Sequence, residues 1–201
     1  MATDNKYRFS FTAASLMVSE MVELSCKLVE SGATVASLTA DDHKRERAVT
    51  SKREFAEIQL RLATLTRNEL EFLTEARYEE RKLLSMIAFS RTYRFFRDFM
   101  EEVLLEKVSL YDLHLTDRDY ITFVNRKQID HEELEQLADS TKKKIKQVVF
   151  KVLEQAGIID SIKTRNIQTP HIGRAFEKLI CQTTPNDLKL LLYTEQRIAT
   201  I

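Results

Sequence analysis

The sequence predicts an all-α protein, and three observations carry that prediction. Only three glycines and two prolines interrupt 201 residues, so few positions break a helix. Apolar residues recur at spacings of three and four along most of the chain, the period of a helix with one buried face. Ser51, Thr66 and Asp130 each precede a glutamate by three positions (Glu54, Glu69, Glu133), the pattern of a capping box.

The first helix is expected from Thr12 or Ala13 to about Ser31. Thr12 serves as its cap, Leu16, Met21, Leu24 and Leu28 give its buried stripe, and Gly32 stops it. A short helix follows near Val35–Leu38, then the polar segment "DDHKRERAVT", read as a loop or a frayed helix start. Ser51 opens the next helix, with Phe55, Ile58, Leu62 and Leu65 behind it. Thr66 opens a shorter one through Leu70, Leu73 and Ala76. A long helix is expected from Tyr78 to Lys107, burying Leu83, Ile87, Phe96, Phe99, Met100 and Val103. It forms the spine of a helical bundle over residues 1–110.

Residues 111–201 change in character. Thr116 caps a helix to about Lys127, with Asp117 and Asp119 in the turn where the helix dipole favours acids. Asp130 opens a short helix ending near Ala138. Ser140 caps the next, which runs to Ala156. At 100° per residue, Ile145, Val148, Val149, Val152, Leu153 and Ala156 form one apolar arc. Lys143, Lys144, Gln147, Phe150, Lys151 and Glu154 lie opposite, with Lys146 at the boundary. Gly157 fits the left-handed position that ends a helix, and Leu153 and Ile158 are spaced for the apolar contact of a Schellman motif.

After Gly157 the period switches. "IIDSIKTRNIQTP" is rich in β-branched residues and reads as two small strands, Ile158–Ile162 and Asn166–Thr169, around the turn "KTRN". Thr169–Pro170 starts a further helix and Thr184, Pro185 and Asp187 the last. Helix, short helix, basic helix and β-hairpin is the order of a winged helix-turn-helix. In that motif the third helix enters the major groove of DNA and the hairpin, or wing, follows the backbone.

The charges agree with that reading. The whole chain balances 31 basic against 31 acidic residues, so any argument for a polyanion must be local. From Ser140 to Lys178 nine basic residues face three acidic ones, whereas Asp117–Asp139 holds seven acids and three bases. Lys142, Lys143, Lys144 and Lys151 on the helix, with Lys163 and Arg165 at the wing tip, would neutralise phosphates. Ser140, Thr141 and Gln147 would add hydrogen bonds. Lysines in a first helical turn have the wrong sign for the dipole, a penalty that a bound polyanion reverses. Read alone, the triple lysine is more simply a solvated face; the wing tip tilts the balance. Phe150 stands out on the polar side. It packs under the wing or against the bundle, or else meets a thymine methyl or another subunit.

Other features carry less. Arg91 and Arg94, in "SRTYRFFRDF", form a secondary basic patch with aromatics between them; the stronger reading makes those aromatics core and pairs Arg97 with Glu101. "HKRER" at 43–47 reads as a solvated loop. His43, His114, His131 and His171 lack metal-ligand spacing, and no glycine-rich phosphate loop or nucleophile motif occurs. No catalytic residue, metal or cofactor is expected, nor a small-molecule substrate. Cys26 and Cys181 suggest no disulfide framework, and no segment is apolar enough to span a membrane. Together these point to a non-enzymatic cytoplasmic protein.

Three stretches, "RAVTSKREFAEIQLRLATL", "RKLLSMIAFSRTYRFFRDFMEEVL" and "STKKKIKQVVFKVLEQAGIID…QTPHIGRAFEKLI", resemble the BrxA proteins of the BREX bacteriophage-exclusion systems. The resemblance covers roughly residues 7–192. It implies a small bacterial all-helical protein with a winged helix-turn-helix that binds double-stranded DNA in phage defence beside other BREX components. Residues 140–151 would be the recognition helix and 158–169 the wing. The competing reading is a protein-interaction scaffold whose winged helix holds a protein partner.

Overall fold

The computed structural model describes residues 6–42 and 48–201, the side chains of 48–51 excepted. Among these residues the secondary structure is helical. The helices are α1 (Val18–Ser31), α2 (Ala48–Leu62), α3 (Arg67–Glu75), α4 (Tyr78–Thr92), α5 (Arg94–Phe99), α6 (Leu105–Ser109), α7 (Asp117–Lys127), α8 (Glu132–Glu135), α9 (Asp139–Ala156), α10 (Arg174–Thr183) and α11 (Glu195–Ile198). A π-helical turn, Met100–Leu104, joins α5 to α6, and 3-10 turns occupy Ser10–Ala13, Val35–Ser37, Ala40–Asp42 and Pro185–Leu191. The "HKRER" segment lies outside the described residues.

The first helix starts six residues later than Thr12, and a buried arginine is the reason. Arg61, on α2, is 0% exposed. It donates to the carbonyl oxygens of Ala14 (2.7 Å) and Leu16 (3.3 Å) and to that of Ser15. Residues 7–17 therefore run as a strap across α2, and Met17 enters α1 from the left-handed region (φ 58°). Thr12 is no cap; its hydroxyl donates to Phe9 O. Burying a guanidinium is costly unless its donors are filled. Here carbonyls fill them, the Tyr93 hydroxyl lies 3.3 Å away, and the ring of Phe89 sits 4.7 Å from the charge. Tyr93 donates in turn to Glu57.

That network also breaks the expected long helix. Tyr93 leaves α4 in an extended conformation (φ −122°, ψ 92°), and the chain restarts in α5 with Phe95, Phe96 and Phe99 buried. The apolar core continues past residue 110. The Phe99 ring lies 5.1 Å from that of Phe123 on α7 and 6.5 Å from that of Phe150 on α9.

Gly32 stops α1 in the left-handed region as expected, and two N-caps form as expected. Thr66 and Glu69 make a capping box at α3, and Thr116 and Asp119 make one at α7. Others do not. α2 starts three residues before Ser51. His131, not Asp130, precedes α8, and Glu133 instead accepts the backbone amide of Tyr7 (2.6 Å). α9 starts at Asp139, which leaves Ser140 inside the helix. The segment after Pro170 stays extended to Gly173, whose amide donates to Glu80 (2.9 Å), and α10 begins at Arg174.

The expected β-hairpin is reduced to paired single residues. Ile159 bridges Ile167 antiparallel, with Asp160 N donating to Asn166 O and Gln168 N to Ile158 O. No longer strand occurs among the described residues. A third piece, unforeseen from the sequence, joins on the other side. His114 bridges Asn166, through Leu115 N to Arg165 O and Ile167 N to Leu113 O. The middle segment, 166–168, is thus flanked by 113–115 and 158–160.

Candidate nucleic-acid interface

α9 begins two residues earlier than a cap at Ser140 would place it. Ala138 stands before it in extended conformation, and its first turn carries Asp139, the favourable sign for the dipole. Lys142, Lys143 and Lys144 fall in the second turn, so the expected dipole penalty largely disappears. The helix ends as anticipated. Gly157 is left-handed (φ 76°), Gly157 N donates to Glu154 O, and Ile158 N to Leu153 O, the paired bonds of a Schellman motif.

Burial divides α9 more unevenly than the two-sided pattern foretold. The apolar arc is buried, and so is Phe150, at 2% exposed. Its ring lies 5.8 Å from that of Tyr120 on α7 and under the Arg165 guanidinium, so it packs inside the protein, the first of the two placements expected. Ser140, Lys143, Lys144, Gln147 and Lys151 remain exposed. Lys143 and Lys151 have no hydrogen-bond or ion-pair partner among the described residues. Lys144 reaches Gln147 at 3.4 Å. Thr141 and Lys142 are half-buried, and Lys142 donates to Glu135 O.

The exposed stripe borders a polar groove of about 550 Å³. Lys144, Gln147 and Lys151 line one wall; Thr12, Ser15, Ser19 and Tyr78 stand on the other. The strap is fastened there, because Leu16 N donates to the Gln155 side chain of α9 at 3.1 Å. Nothing in the local sequence of α9 foretells this wall, most of which comes from residues about 130 positions earlier.

At the turn between the paired segments, Lys163 is exposed. Arg165 is not available in the same way. It is left-handed (φ 56°), and its guanidinium folds back over the Phe150 ring at 4.6 Å and pairs with Asp117. Lys146 pairs with the same carboxylate at 2.9 Å. The two cations hold the Asp117 carboxyl below its usual range. Asp160 organises the turn by accepting from Ser161 N, Asn166 N and the Asn166 and Thr164 side chains. Those bonds outweigh its slight burial and keep its carboxyl low.

The secondary patch is mostly spent inside the protein. Arg91 pairs with Glu69 and with Asp187, each at 2.7 Å, leaving its side chain 12% exposed. Arg94 is exposed beside Asp98. Arg97 pairs with Glu101, as expected, and also with Asp187. No group of three or more His, Cys, Asp or Glu among the described residues sits where it could hold a metal, and no described helix is long and apolar enough to cross a membrane.

The model of one protein family, BrxA, matches residues 5–184, nearly the whole chain. The chain belongs to the BrxA family. Two relatives carry the description "BREX protein BrxA". One, from Escherichia coli O9:H4 (strain HS), is 29% identical over 143 residues, covering 71% of this chain and 67% of its own length. The other, from Bacillus cereus (strain H3081.97), is 34% identical over 93 residues, 46% of each chain. A crystal structure of an uncharacterized protein from Magnetospirillum magneticum matches with a TM-score of 0.75 over 93% of this chain and 97% of that one, at 16% identity. That likeness shows that the BrxA-family fold described here occurs in a solved structure.

Proposed function

We propose that this chain is a non-enzymatic, double-stranded-DNA-binding component of a BREX phage-defence system. On this reading α7, α9 and the three paired segments form a winged helix. α9 is its recognition helix and Asp160–Asn166 a short wing. The observation that carries the reading is the division of α9. Seven of its side chains are buried, while Ser140, Lys143, Lys144, Gln147 and Lys151 stay open, and the two outermost lysines are unpaired. Burying this much of a helix while leaving a lysine stripe uncovered suits a phosphate backbone.

The contact set is smaller than the sequence suggested. Arg165 acts within the wing, and Lys142 is partly engaged. Lys143, Lys144, Lys151 and Lys163 remain as phosphate ligands, with Ser140, Thr141 and Gln147 as hydrogen-bonding neighbours. Four such contacts give a log–log salt slope of roughly −3.6. Sequence preference should be slight, because Gln147 is the one amide on the open stripe able to make a bidentate base contact.

One observation favours the scaffold reading. Asp130, Glu132, Glu135 and Asp139, all exposed, precede the lysines and would repel phosphates there. A single experiment separates the two readings. Duplex binding is measured across a salt series for the wild type and for Lys143/Lys144/Lys151/Lys163→Ala. Binding at low salt whose slope falls sharply in the variant supports DNA. Absence of binding by the wild type at low salt, or an unchanged slope, would sink it.

A further inference from the structure

A second groove, of about 1050 Å³, lies between α6 and the segment 192–197 and shares no lining residue with the lysine-lined groove. Three departures from ordinary backbone converge on it. The π-helical turn Met100–Leu104 supplies Glu101 and Glu102. Tyr111 (φ 58°) and Leu192 (φ 60°), two of the four described non-glycine residues with positive φ, also line it. A tyrosine or leucine held there is strained, and strain of this kind collects at functional sites. π-turns do likewise.

The side chains describe what the groove accepts. Leu192 is buried at its base, with the half-buried Leu105 and Val108 beside it. Tyr111 projects at the edge, 90% exposed, and Leu110 next to it is 70% exposed. The Glu106 carboxylate is exposed with no hydrogen-bond or ion-pair partner among the described residues, and Glu195, exposed across from it, pairs only with Lys189, at 3.2 Å. The cations at the groove are engaged: Arg126 bonds Glu102, and Arg197 lies over the Tyr193 ring at 3.6 Å. An apolar strip edged by carboxylates disfavours nucleic acid and anionic lipid.

We propose that this groove docks an amphipathic, lysine- or arginine-bearing segment of a protein partner, with an aliphatic side chain on the strip and cations toward Glu106 and Glu195. Charge complementarity and the helix-in-groove mode both fit it. A second copy of this chain fits less well, because the open stripe of α9 presents lysines with no exposed large apolar side chain among them.

The chain has no tryptophan, so Tyr111→Trp creates a unique reporter. The probe is a 14-residue helical peptide of leucine and lysine, with the leucine–glutamate peptide as control. The lysine peptide is expected to shift the emission to the blue, saturably, and the glutamate peptide to leave it unchanged. Glu106→Lys with Glu195→Lys should weaken the affinity by about tenfold or more. Calorimetry with the otherwise unaltered protein repeats the comparison without the reporter. Duplex binding should be untouched, which keeps this test separate from that of the DNA reading. No response by either method, equal response to both peptides, or unchanged affinity in the charge-reversed variant overturns the proposal. So does sedimentation showing that the protein alone self-associates through Tyr111, which would make a second copy the occupant.

Discussion

Arg165 lies over the ring of Phe150 at 4.6 Å, so the cation expected to reach outward from the wing tip instead covers the one aromatic of the lysine-bearing helix. Asp117 holds the guanidinium from α7. Arg165 thereby ties the turn 160–166 to both α9 and α7, beside the Glu154 carboxylate that accepts Ile162 N at 2.9 Å, and the turn's outward charge falls to Lys163.

Arg165→Ala should lower stability by about 1–2 kcal/mol, combining a cation–π contact with a partly exposed ion pair. It should change the salt slope of DNA binding little. Lys163→Ala should do the reverse, leaving stability unchanged and flattening the slope by about 0.9. Urea unfolding and a binding titration at several salt concentrations read both. A slope that flattens equally in the two variants would return Arg165 to the interface.

Arg61→Met keeps much of the stem and removes every donor. The carbonyls of Ala14, Ser15 and Leu16 would lose their cation, and the cost should be about 3–5 kcal/mol. Hydrogen exchange should quicken at Leu16, whose amide the strap presents to Gln155. A variant of wild-type stability would mean that the strap is held elsewhere.

Glu69 supplies a pH dependence. Burial raises its carboxyl, but Arg91 and the Thr66 amide and hydroxyl overcome that and hold it below the ordinary value of 4.5. A depressed folded value means its contribution is complete above about 4.5 and is lost as the pH falls through the lower folded value. Glu69→Gln should therefore cost about 3 kcal/mol at neutral pH, and its stability should approach that of the wild type on acidification. Parallel curves from pH 7 to pH 3 would refute the assignment.

Gly157→Ala should lower stability by about 1 kcal/mol, because alanine in the left-handed region is strained. In a chain of this size that is about 2–4 °C in Tm. Gly157→Asn should lose less. Calorimetric melting of the two variants checks the order.

What the sequence disclosed was local. Thr66 with Glu69, Thr116 with Asp119, and Gly157 after Ala156 each satisfy backbone groups within a few positions, and all three stand in the structure. Where the structure departs from local pattern, the cause lies at a distance. Thr12 lost its helix to Arg61, 49 positions on. Asp130 lost its capping box because Glu133 answers Tyr7. Arg165 sits in a turn, but Asp117 and Phe150, remote in sequence, decide where it points. The short piece at Leu113–Leu115 was invisible because a single bridge has no period to detect. Of the candidate site, the lysine stripe was legible from helical spacing; the strap forming its opposite wall was not.

The two fastenings of the strap are made at very different times in the life of the chain. Arg61 is synthesised within fifty residues of the carbonyls it holds, whereas Gln155 follows Leu16 by 139 positions. At roughly 5–20 residues per second, that delay is about 7–28 s. The arginine clasp is available first, and the wall of the lysine-lined groove closes only once α9 has been made. Maturation of that groove therefore lags assembly of the earlier helices, and a chain interrupted before residue 155 carries the strap without the surface it was laid down to border.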